Sequence, residues 1–268
     1  MIATNAELAG GGDYTLLILN AGTLSIGANN GICTNASLTM AASGGATFDL
    51  NGFNQSLIGL TDGATFAELI TNSSSTLSAL TLNLAAGSTY SGVLAGKVAL
   101  VDNGPANLYL AGTNSYTGNT TVNSGILEIA QPTLAASSTV TVAGGGAVLQ
   151  LDFTVTNTVA GLVLNGVNQA PGIYSATTSS PYLAGSGSLQ VAVPVATNRT
   201  NITVTVTGGN LTLSWPTDHI GWTLQAQTNS LSTGLGGTWV DVPNSATVNT
   251  VTYPINAANG AVFYRLKL

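Results

Sequence analysis

The chain has 268 residues, of which 44% are hydrophobic and 5% are charged, and its formal net charge is −6. Four positive side chains leave no basic patch, which excludes nucleic acid as a partner. The single cysteine excludes an intramolecular disulfide framework and a cysteine-based metal cluster. The longest apolar run near the start, residues 16–19, is too short for a transmembrane segment.

So low a charged fraction requires Ser, Thr and Asn to solvate the surface, a composition typical of extracellular or outer-surface proteins. Residues 16–19 are also too short to form the core of a signal peptide. We therefore expect that residue 1 is not the native start and that an export signal lies upstream.

A repeated pattern runs through the first two thirds of the chain. Small turn residues, a glycine and then alternating apolar positions recur in residues 20–27, 44–52, 123–130 and 185–192. The turn glycines from Gly22 to Gly187 recur roughly every 20 residues, a period that indicates a solenoid. Counted along these glycines, the pattern predicts about nine stacked coils.

Between these turns the apolar residues alternate with period two, as in residues 23–26, 126–129 and 148–151. Such alternation predicts strands, and stacking the strands coil on coil buries a continuous apolar column. In residues 111–130 we expect Gly at the corners, Leu127 at an inward or semi-buried position, and Thr and Asn on outward faces and in corner ladders.

The stretch 108–129, "LYLAGTNSYTGNTTVNSGILEI", resembles the autotransporter-associated β-strand repeat, also called the passenger-associated transport repeat. The residues that fit its pattern are Leu108, Leu110, Gly112, Asn114, Tyr116, Thr117, Gly118, Thr120, Val122, Gly125 and Leu127. This resemblance implies an all-β fold with a right-handed parallel β-helix, in a large secreted or surface-exposed bacterial protein. It also implies that the repeat is structural and carries no catalytic residue.

The composition changes at residues 191–201, beyond which lie all three tryptophans and the single histidine. We therefore divide the chain into a β-solenoid domain (1–192), a linker (193–200) and a C-terminal module (201–268). Six short strands separated by turn residues predict that this module is a small antiparallel β-sandwich. It resembles C-terminal modules of secreted bacterial repeat proteins and, more loosely, fibronectin type III-like domains.

Few residues of the chain are candidates for catalysis. Coil stacking could bring Asp49 near Glu68, or Glu128 near Asp152, but the solenoid has one cation, Lys97, to stabilise a developing anion. We therefore expect no catalytic site, no metal site and no cofactor.

The cluster Asp218, His219 and Trp222 is a candidate glycan contact. The alternative is a turn that packs beside a core tryptophan.

These patterns predict a non-enzymatic, secreted or cell-surface structural or adhesin-like protein. Its β-helical stalk would display or anchor other parts of a longer chain. The alternative is a carbohydrate-binding or polysaccharide-cleaving β-helix protein. The expected partners are cell-surface or extracellular polysaccharide and a second copy of the chain. Self-association would be end to end, because strand 15–19 would expose an unpaired edge.

Overall fold

The computed structural model describes residues 15–40, 45–63, 68–193, 195–236, 238–256 and 258–268, and the backbone of residues 6–9. The chain divides into two compact units, Met1–Ala192 and Val193–Leu268. The described residues contain β-strands and two short 3-10 helices.

The first unit is built from 24 described strands. The first six are β1 (Ala6–Ala9), β2 (Leu16–Leu19), β3 (Gly22–Ser25), β4 (Ser37–Met40), β5 (Ala46–Asp49) and β6 (Gln55–Leu57). Next come β7 (Gly59–Asp62), β8 (Leu69–Thr71), β9 (Ser78–Leu82), β10 (Ser88–Tyr90), β11 (Val93–Gly96) and β12 (Val98–Asp102). They are followed by β13 (Asn107–Leu110), β14 (Ser115–Tyr116), β15 (Thr120–Val122), β16 (Ile126–Ile129), β17 (Thr139–Val142) and β18 (Val148–Leu151). The last six are β19 (Thr156–Val159), β20 (Gly161–Leu164), β21 (Val167–Asn168), β22 (Gly172–Ser175), β23 (Leu183–Gly185) and β24 (Ser188–Val191).

These strands coil into a β-solenoid with three faces. The first face contains the sheets β1-β2-β4-β7 and β10-β13-β16-β18-β23, the second contains β14-β11-β8-β5-β3, and the third contains β21-β20-β17-β15-β12-β9-β6. Neighbouring strands from successive coils are parallel, as in β13 and β16, where Leu108 lies beside Leu127. The predicted all-β solenoid is therefore confirmed.

The core consists of columns of inward side chains. On the first face Leu108, Leu127, Leu149 and Leu183 stack in register, and each is buried. On the third face the corresponding column is Leu57, Leu82, Asp102, Val122, Val142 and Leu164. A four-residue strand cannot bury its apolar side alone, so each coil depends on its neighbours for stability.

The structure forms about six turns rather than nine. The count along the glycines fails because some of those glycines do not turn coil corners. Gly166, for example, lies in the tight turn between β20 and β21, which pair antiparallel as a hairpin. Residues 165–182 thus fold outside the regular coil, and one turn uses more residues than the average period allows.

The expectation of an open edge at strand 15–19 is wrong. β1 pairs antiparallel with β2, from Ala6 beside Leu19 to Ala9 beside Leu16. The backbone of residues 6–9 therefore occupies the edge of β2 that we expected to drive end-to-end association. β1 is in turn the terminal strand of this sheet among the described strands, and end-to-end association stays a prediction.

Asparagine side chains join successive coils at the corners. Asn103 Nδ2 donates to Asn83 Oδ1 at 3.3 Å, and Asn123 Nδ2 donates to Asn103 Oδ1 at 2.6 Å, which makes a ladder over three coils. Thr39 and Thr61 hydroxyls form a similar contact at 3.0 Å on the first face. The predicted corner and face ladders are therefore present.

The second unit contains two antiparallel sheets. The strands are β25 (Thr203–Thr207), β26 (Asn210–Ser214), β27 (Thr223–Asn229), β28 (Val240–Asp241), β29 (Thr250–Pro254) and β30 (Ala261–Lys267). Their orders are β25-β26-β29 and β28-β27-β30. One apolar cluster joins the two sheets, with Leu213 and Trp215 from the first packed with Leu224 and Leu266 from the second. Two antiparallel sheets that share one apolar cluster support the predicted β-sandwich in part.

Candidate functional site

The apolar residues of the repeat pattern pack between successive coils. Leu108, Leu110, Val122 and Leu127 are buried in the columns of the first and third faces. Leu127 lies between Leu108 and Leu149, so its inward position is as expected. None of these four side chains reaches the outer surface.

The polar residues of the pattern are also engaged inside the unit. Asn114 Oδ1 accepts from the backbone N–H of Leu94 at 2.9 Å, and Asn114 Nδ2 donates to Gly112 O at 3.0 Å. The buried hydroxyls of Tyr116 and Thr120 lie 2.7 Å apart. Burial raises the pKa of Tyr116 to about 12, so the phenol stays protonated. Asn114 thus joins the second face to the preceding coil, whereas Tyr116 and Thr120 join two strands of the same coil.

The pattern's glycines permit close approach between coils. A Cβ at Gly112 would clash with the carbonyl oxygen of Gly92, and one at Gly118 would clash with that of Val98. Because real Cβ atoms do not approach backbone so closely, any larger residue would push the two coils apart.

Asp49 binds three coils together. Its carboxylate accepts from the Ser73 N–H at 3.0 Å, the Ser73 hydroxyl at 2.7 Å, the Asn51 N–H at 2.9 Å and the Ser25 hydroxyl at 3.3 Å. Burial opposes ionisation, but these hydrogen bonds outweigh it and lower the pKa of Asp49. In the register of β5 and β8, Asp49 lies beside Thr71 rather than beside Glu68. Asp49 is a structural link.

The coil stacking does bring Glu128 to Asp152. A hydrogen bond to the Asp152 carboxyl, together with burial and the charge of Asp152, raises the pKa of Glu128 to about 7. Gln150 Nε2 also donates to both oxygens of Asp152, at 3.1 and 3.2 Å. Glycosidases hold their two carboxyl groups roughly 5–9.5 Å apart, with the scissile bond between them. Directly hydrogen-bonded carboxyl groups leave no room for that bond.

Asp102 faces the core of the solenoid between Leu82 and Val122. Its side chain is fully buried, and neither oxygen has a well-aligned hydrogen-bond donor among the described residues. Burial raises the pKa of Asp102 to about 7, although the nearby Gly104 N–H opposes the rise. An enclosed acid in an aliphatic column has no access to a substrate.

The C-terminal candidates, Asp218, His219 and Trp222, are brought together. His219 Nδ1 lies 2.7 Å from Asp218 Oδ1, His219 Nε2 lies 2.8 Å from Asn198 O, and the His219 and Trp222 ring centroids are 5.2 Å apart. Trp222 Nε1 donates to Ala196 O at 2.7 Å. These contacts fasten residues 196–198 to the loop that follows β26, and we name them the clasp.

The clasp leaves little ring surface for a sugar. His219 is 2% exposed and Trp222 is 8% exposed, and the polar atoms of both rings already have partners. The geometry therefore favours the turn that packs beside a tryptophan over direct stacking of a glycan on Trp222. The glycan contact itself stays a prediction.

A second polar cluster lies on the outer face of the sheet β28-β27-β30. Arg265 Nε donates to Gln225 Oε1 at 2.8 Å, and its guanidinium carbon lies 4.3 Å from the Trp239 ring centroid. Gln225 Nε2 donates in turn to Asp241 Oδ1 at 2.6 Å. The cluster was missed in the sequence because 25 residues separate Trp239 from Arg265 in no recognisable spacing.

Within the described ranges, no group of three or more His, Cys, Asp or Glu residues is arranged to hold a metal ion. The same part of the chain contains no helix of the length and apolarity needed to cross a membrane.

Comparison with known proteins adds to this geometry. Residues 100–129 match the model of the family described as passenger-associated-transport-repeat. The chain contains a passenger-associated transport repeat. This confirms the resemblance seen in residues 108–129, and the repeat covers β13, β14, β15 and β16, where every signature residue lies in or beside the stack.

The chain is also similar to the Adhesin BmaC autotransporter of Brucella suis biovar 1 (strain 1330), with 33% identity over 111 residues. The aligned part is 41% of this chain and 3% of that protein, so the chain spans a small fraction of its relative's length. No solved structure matches the chain significantly.

Proposed function

We propose that this chain is part of the surface-exposed or secreted region of an adhesin-like protein. Its solenoid is a stalk that displays or anchors other parts of a longer chain. The observation that carries the proposal is the passenger-associated transport repeat lying within a continuous solenoid. The similarity to an autotransporter adhesin supports the same role.

The physical character of the unit suits a stalk. Polar side chains of the unit form hydrogen bonds between coils. Examples are the ladder of Asn83, Asn103 and Asn123 and the link made by Asp49. Its apolar side chains fill columns that pass through successive coils. Such a unit transmits its stability from neighbour to neighbour and can be lengthened by adding coils.

The carboxylates support a non-enzymatic role. The Glu128 and Asp152 carboxyl groups are engaged with each other, Asp49 is a link between coils, and Asp102 is enclosed. The alternative, a polysaccharide-cleaving β-helix, would require an acid and a base placed on opposite sides of a bound sugar.

The experiment uses beads coated with the purified chain, presented to host-cell and polysaccharide surfaces. Beads carrying the chain should attach, while beads carrying the heat-unfolded chain should not. The same preparation should release no reducing ends from a polysaccharide panel. Attachment equal to that of uncoated beads would reject the adhesive role. Hydrolysis that is abolished by Glu128→Gln would reject the non-enzymatic one.

A further inference from the structure

One connection of the solenoid is much longer than its counterparts, and the proposed function does not explain it. The chain passes from the third face to the first face of the next coil in three residues at 123–125 and in five at 143–147. At the passage from β20 to β23 it uses residues 165–182. We name this stretch the excursion.

The excursion first turns back on β20. Asn165 and Gly166 have φ of 49° and 77°, and a two-residue type I′ hairpin turn requires positive φ at both positions. β21 then pairs antiparallel with β20, and the Gln169 N–H donates to Leu162 O at 2.8 Å. The opposite edge of β20 pairs with β17 of the preceding coil. β21 therefore occupies the edge at which a strand of a further coil would bind.

The second half of the excursion covers another edge. β22 pairs antiparallel with β24, from Gly172 beside Val191 to Ser175 beside Ser188. The opposite edge of β24 pairs in parallel with β19 of the preceding coil. β22 thus also lies where a strand of a further coil would bind. The remaining face ends at β23, which has three residues, and very short edge strands offer little for pairing.

The end of the apolar core is covered as well. Leu164, Leu183 and Leu189 belong to the last strands of the three faces, yet they are 6%, 2% and 0% exposed. Tyr174 lies opposite Leu189 in the pairing of β22 with β24, so its ring points to the same face as that leucine. Tyr174 and Tyr182 both pack, partly buried, against the core. Two rings of the excursion therefore take the place of the apolar side chains of a further coil.

The outer edges of the excursion are themselves short or engaged. β21 has two residues. On β22, the Ser175 N–H donates to Thr178 Oγ1 at 2.9 Å, and the Ser175 carbonyl oxygen accepts from the Ser179 N–H at 2.9 Å. The Tyr174 hydroxyl donates to Ala170 O at 2.8 Å and fixes the ring. Short edges covered by a turn are one of the ways in which proteins avoid pairing between molecules.

From these observations we propose that the excursion is a cap. It ends the stack of coils and closes this end of the solenoid to a further coil and to a second copy of the chain. An open end would expose unpaired backbone N–H and C=O groups together with apolar core, and both would bind another solenoid. The inference goes beyond the proposed function, because it concerns the direction in which coils can be added and not what the stalk attaches to.

The opposite end of the unit differs. There β3 and β6 are the terminal strands of their sheets among the described strands, and neither has an antiparallel partner in that part of the chain. The cap therefore gives the solenoid a polarity, with coil addition or self-association possible at the end that contains β3 and β6.

A ligand-binding loop is the alternative explanation, because insertions into solenoids often carry binding sites. The cap is favoured because both strands of the excursion pair with edges of the stack and both tyrosine rings pack on the core. A loop built for a ligand would not need to cover these edges.

The first test replaces residues 165–182 by Asn-Ser-Gly, the sequence of the connection at 123–125, which joins the same two faces two coils earlier. Wild type and variant are compared by sedimentation velocity over a wide range of concentration. The wild-type chain should form nothing larger than a dimer, because one of its ends is capped. The variant has two open ends and should form a series of larger species as its concentration rises.

A variant that sediments as the wild type does would overturn the proposal and favour the ligand-binding loop. A wild-type chain that itself forms a series of larger species would also overturn it. Both chains are purified proteins, so a failure of the adhesive function in the bead experiment would leave this result unaffected.

Hydrogen–deuterium exchange tests the cap in the unaltered chain, and so remains decisive where the replacement prevents folding. The backbone amides of β20 and β24 should exchange as slowly as those of β17, which has a coil on either side. Exchange as fast as in β25, an exposed edge strand of the second unit, would show that the two edges are open and would overturn the proposal.

A pair of neighbouring substitutions on β22 tests the covering of the core. Tyr174→Ala should lower the urea midpoint of the solenoid and accelerate exchange in β24, because it uncovers Leu189. Ile173→Ala is the matched control, since the Ile173 side chain is 61% exposed and its loss should leave both measurements unchanged. Equal effects of the two substitutions would mean that Tyr174 does not close the core, and would contradict the cap.

Discussion

Replacement of Asp102 by Asn tests whether the solenoid interior is as dry as its columns indicate. Asp102 lies between Leu82 and Val122, and its carboxyl group is fully buried. Asn has nearly the same shape but cannot ionise. The substitution therefore separates the cost of a buried charge from the cost of a polar group in this column.

The structure gives the magnitude. Burial raises the pKa of Asp102 from its ordinary value of 3.8 to about 7. Each pKa unit corresponds to about 1.4 kcal/mol, so ionising Asp102 in the folded chain costs about 4 kcal/mol relative to the unfolded chain. The folded state binds the proton more tightly, so this group's contribution to stability is complete below about pH 4 and is lost as the pH rises towards 7.

The assay is urea unfolding of the wild-type and Asp102→Asn chains at pH 4 and pH 8, followed by circular dichroism. The free energy of unfolding of the variant, relative to wild type, should be greater at pH 8 than at pH 4 by about 4 kcal/mol. Because this is a difference between two pH values, the cost of a buried amide cancels. Tryptophan fluorescence is an internal control, since all three tryptophans lie in residues 193–268 and should report the same transition in both chains.

A pH-dependent difference within about 0.5 kcal/mol would mean that the Asp102 carboxyl is hydrated, and that β12 is out of the register described here. Asp102→Val provides a second check. A β-branched apolar side chain suits this column, so the variant should be more stable than wild type at pH 8.

Three further predictions address the stack and the clasp. Leu127→Ala should lower the free energy of unfolding by about 2–5 kcal/mol, because Leu127 is fully buried between Leu108 and Leu149; a loss below about 0.5 kcal/mol in chemical denaturation would contradict its position. Gly118→Ala should cost about 1–3 kcal/mol because its Cβ would meet the Val98 carbonyl, whereas Gly27→Ala, with open space at its Cβ, should be nearly neutral; equal effects would argue against close coil packing. The hydrogen bond to Asn198 O and the contact with Asp218 raise the pKa of His219, so NMR titration of this single histidine should give a value above 6.5, and the stability it contributes should be lost as the pH rises through that value. A pKa at or below 6.5 would mean that the clasp does not form in solution.

Much of the solenoid could be predicted from the sequence because its signals are local. Alternating apolar residues in 126–129 indicate a strand, and glycines such as Gly112 and Gly118 indicate corners. Side chains of a strand point alternately to its two faces. Leu127 and Ile129 share the apolar face, and this face packs against the core. Asn ladders follow from the same regularity, since equal coil lengths place equal corners in contact.

The features that were not predicted depend on contacts that the sequence pattern does not encode. Asp102 occupies an inward position at which the adjacent strands carry Leu82 and Val122. Nothing in the local sequence distinguishes it from an acid that faces outward. Strand β1 was not predicted because residues 6–9 form a strand by pairing with the backbone of β2, and no sequence pattern marks that pairing. The cluster of Arg265, Gln225 and Trp239 joins residues that are far apart along the second unit, so only the folded chain reveals it.

Antibody labelling of intact cells tests the central claim most directly. Antibodies raised against the purified chain should label cells that have not been permeabilised, and brief protease treatment of those intact cells should remove the signal. That result is expected of a stalk that lies outside the cell and displays other parts of its chain. Labelling that requires permeabilisation and survives external protease would contradict a surface adhesin-like role.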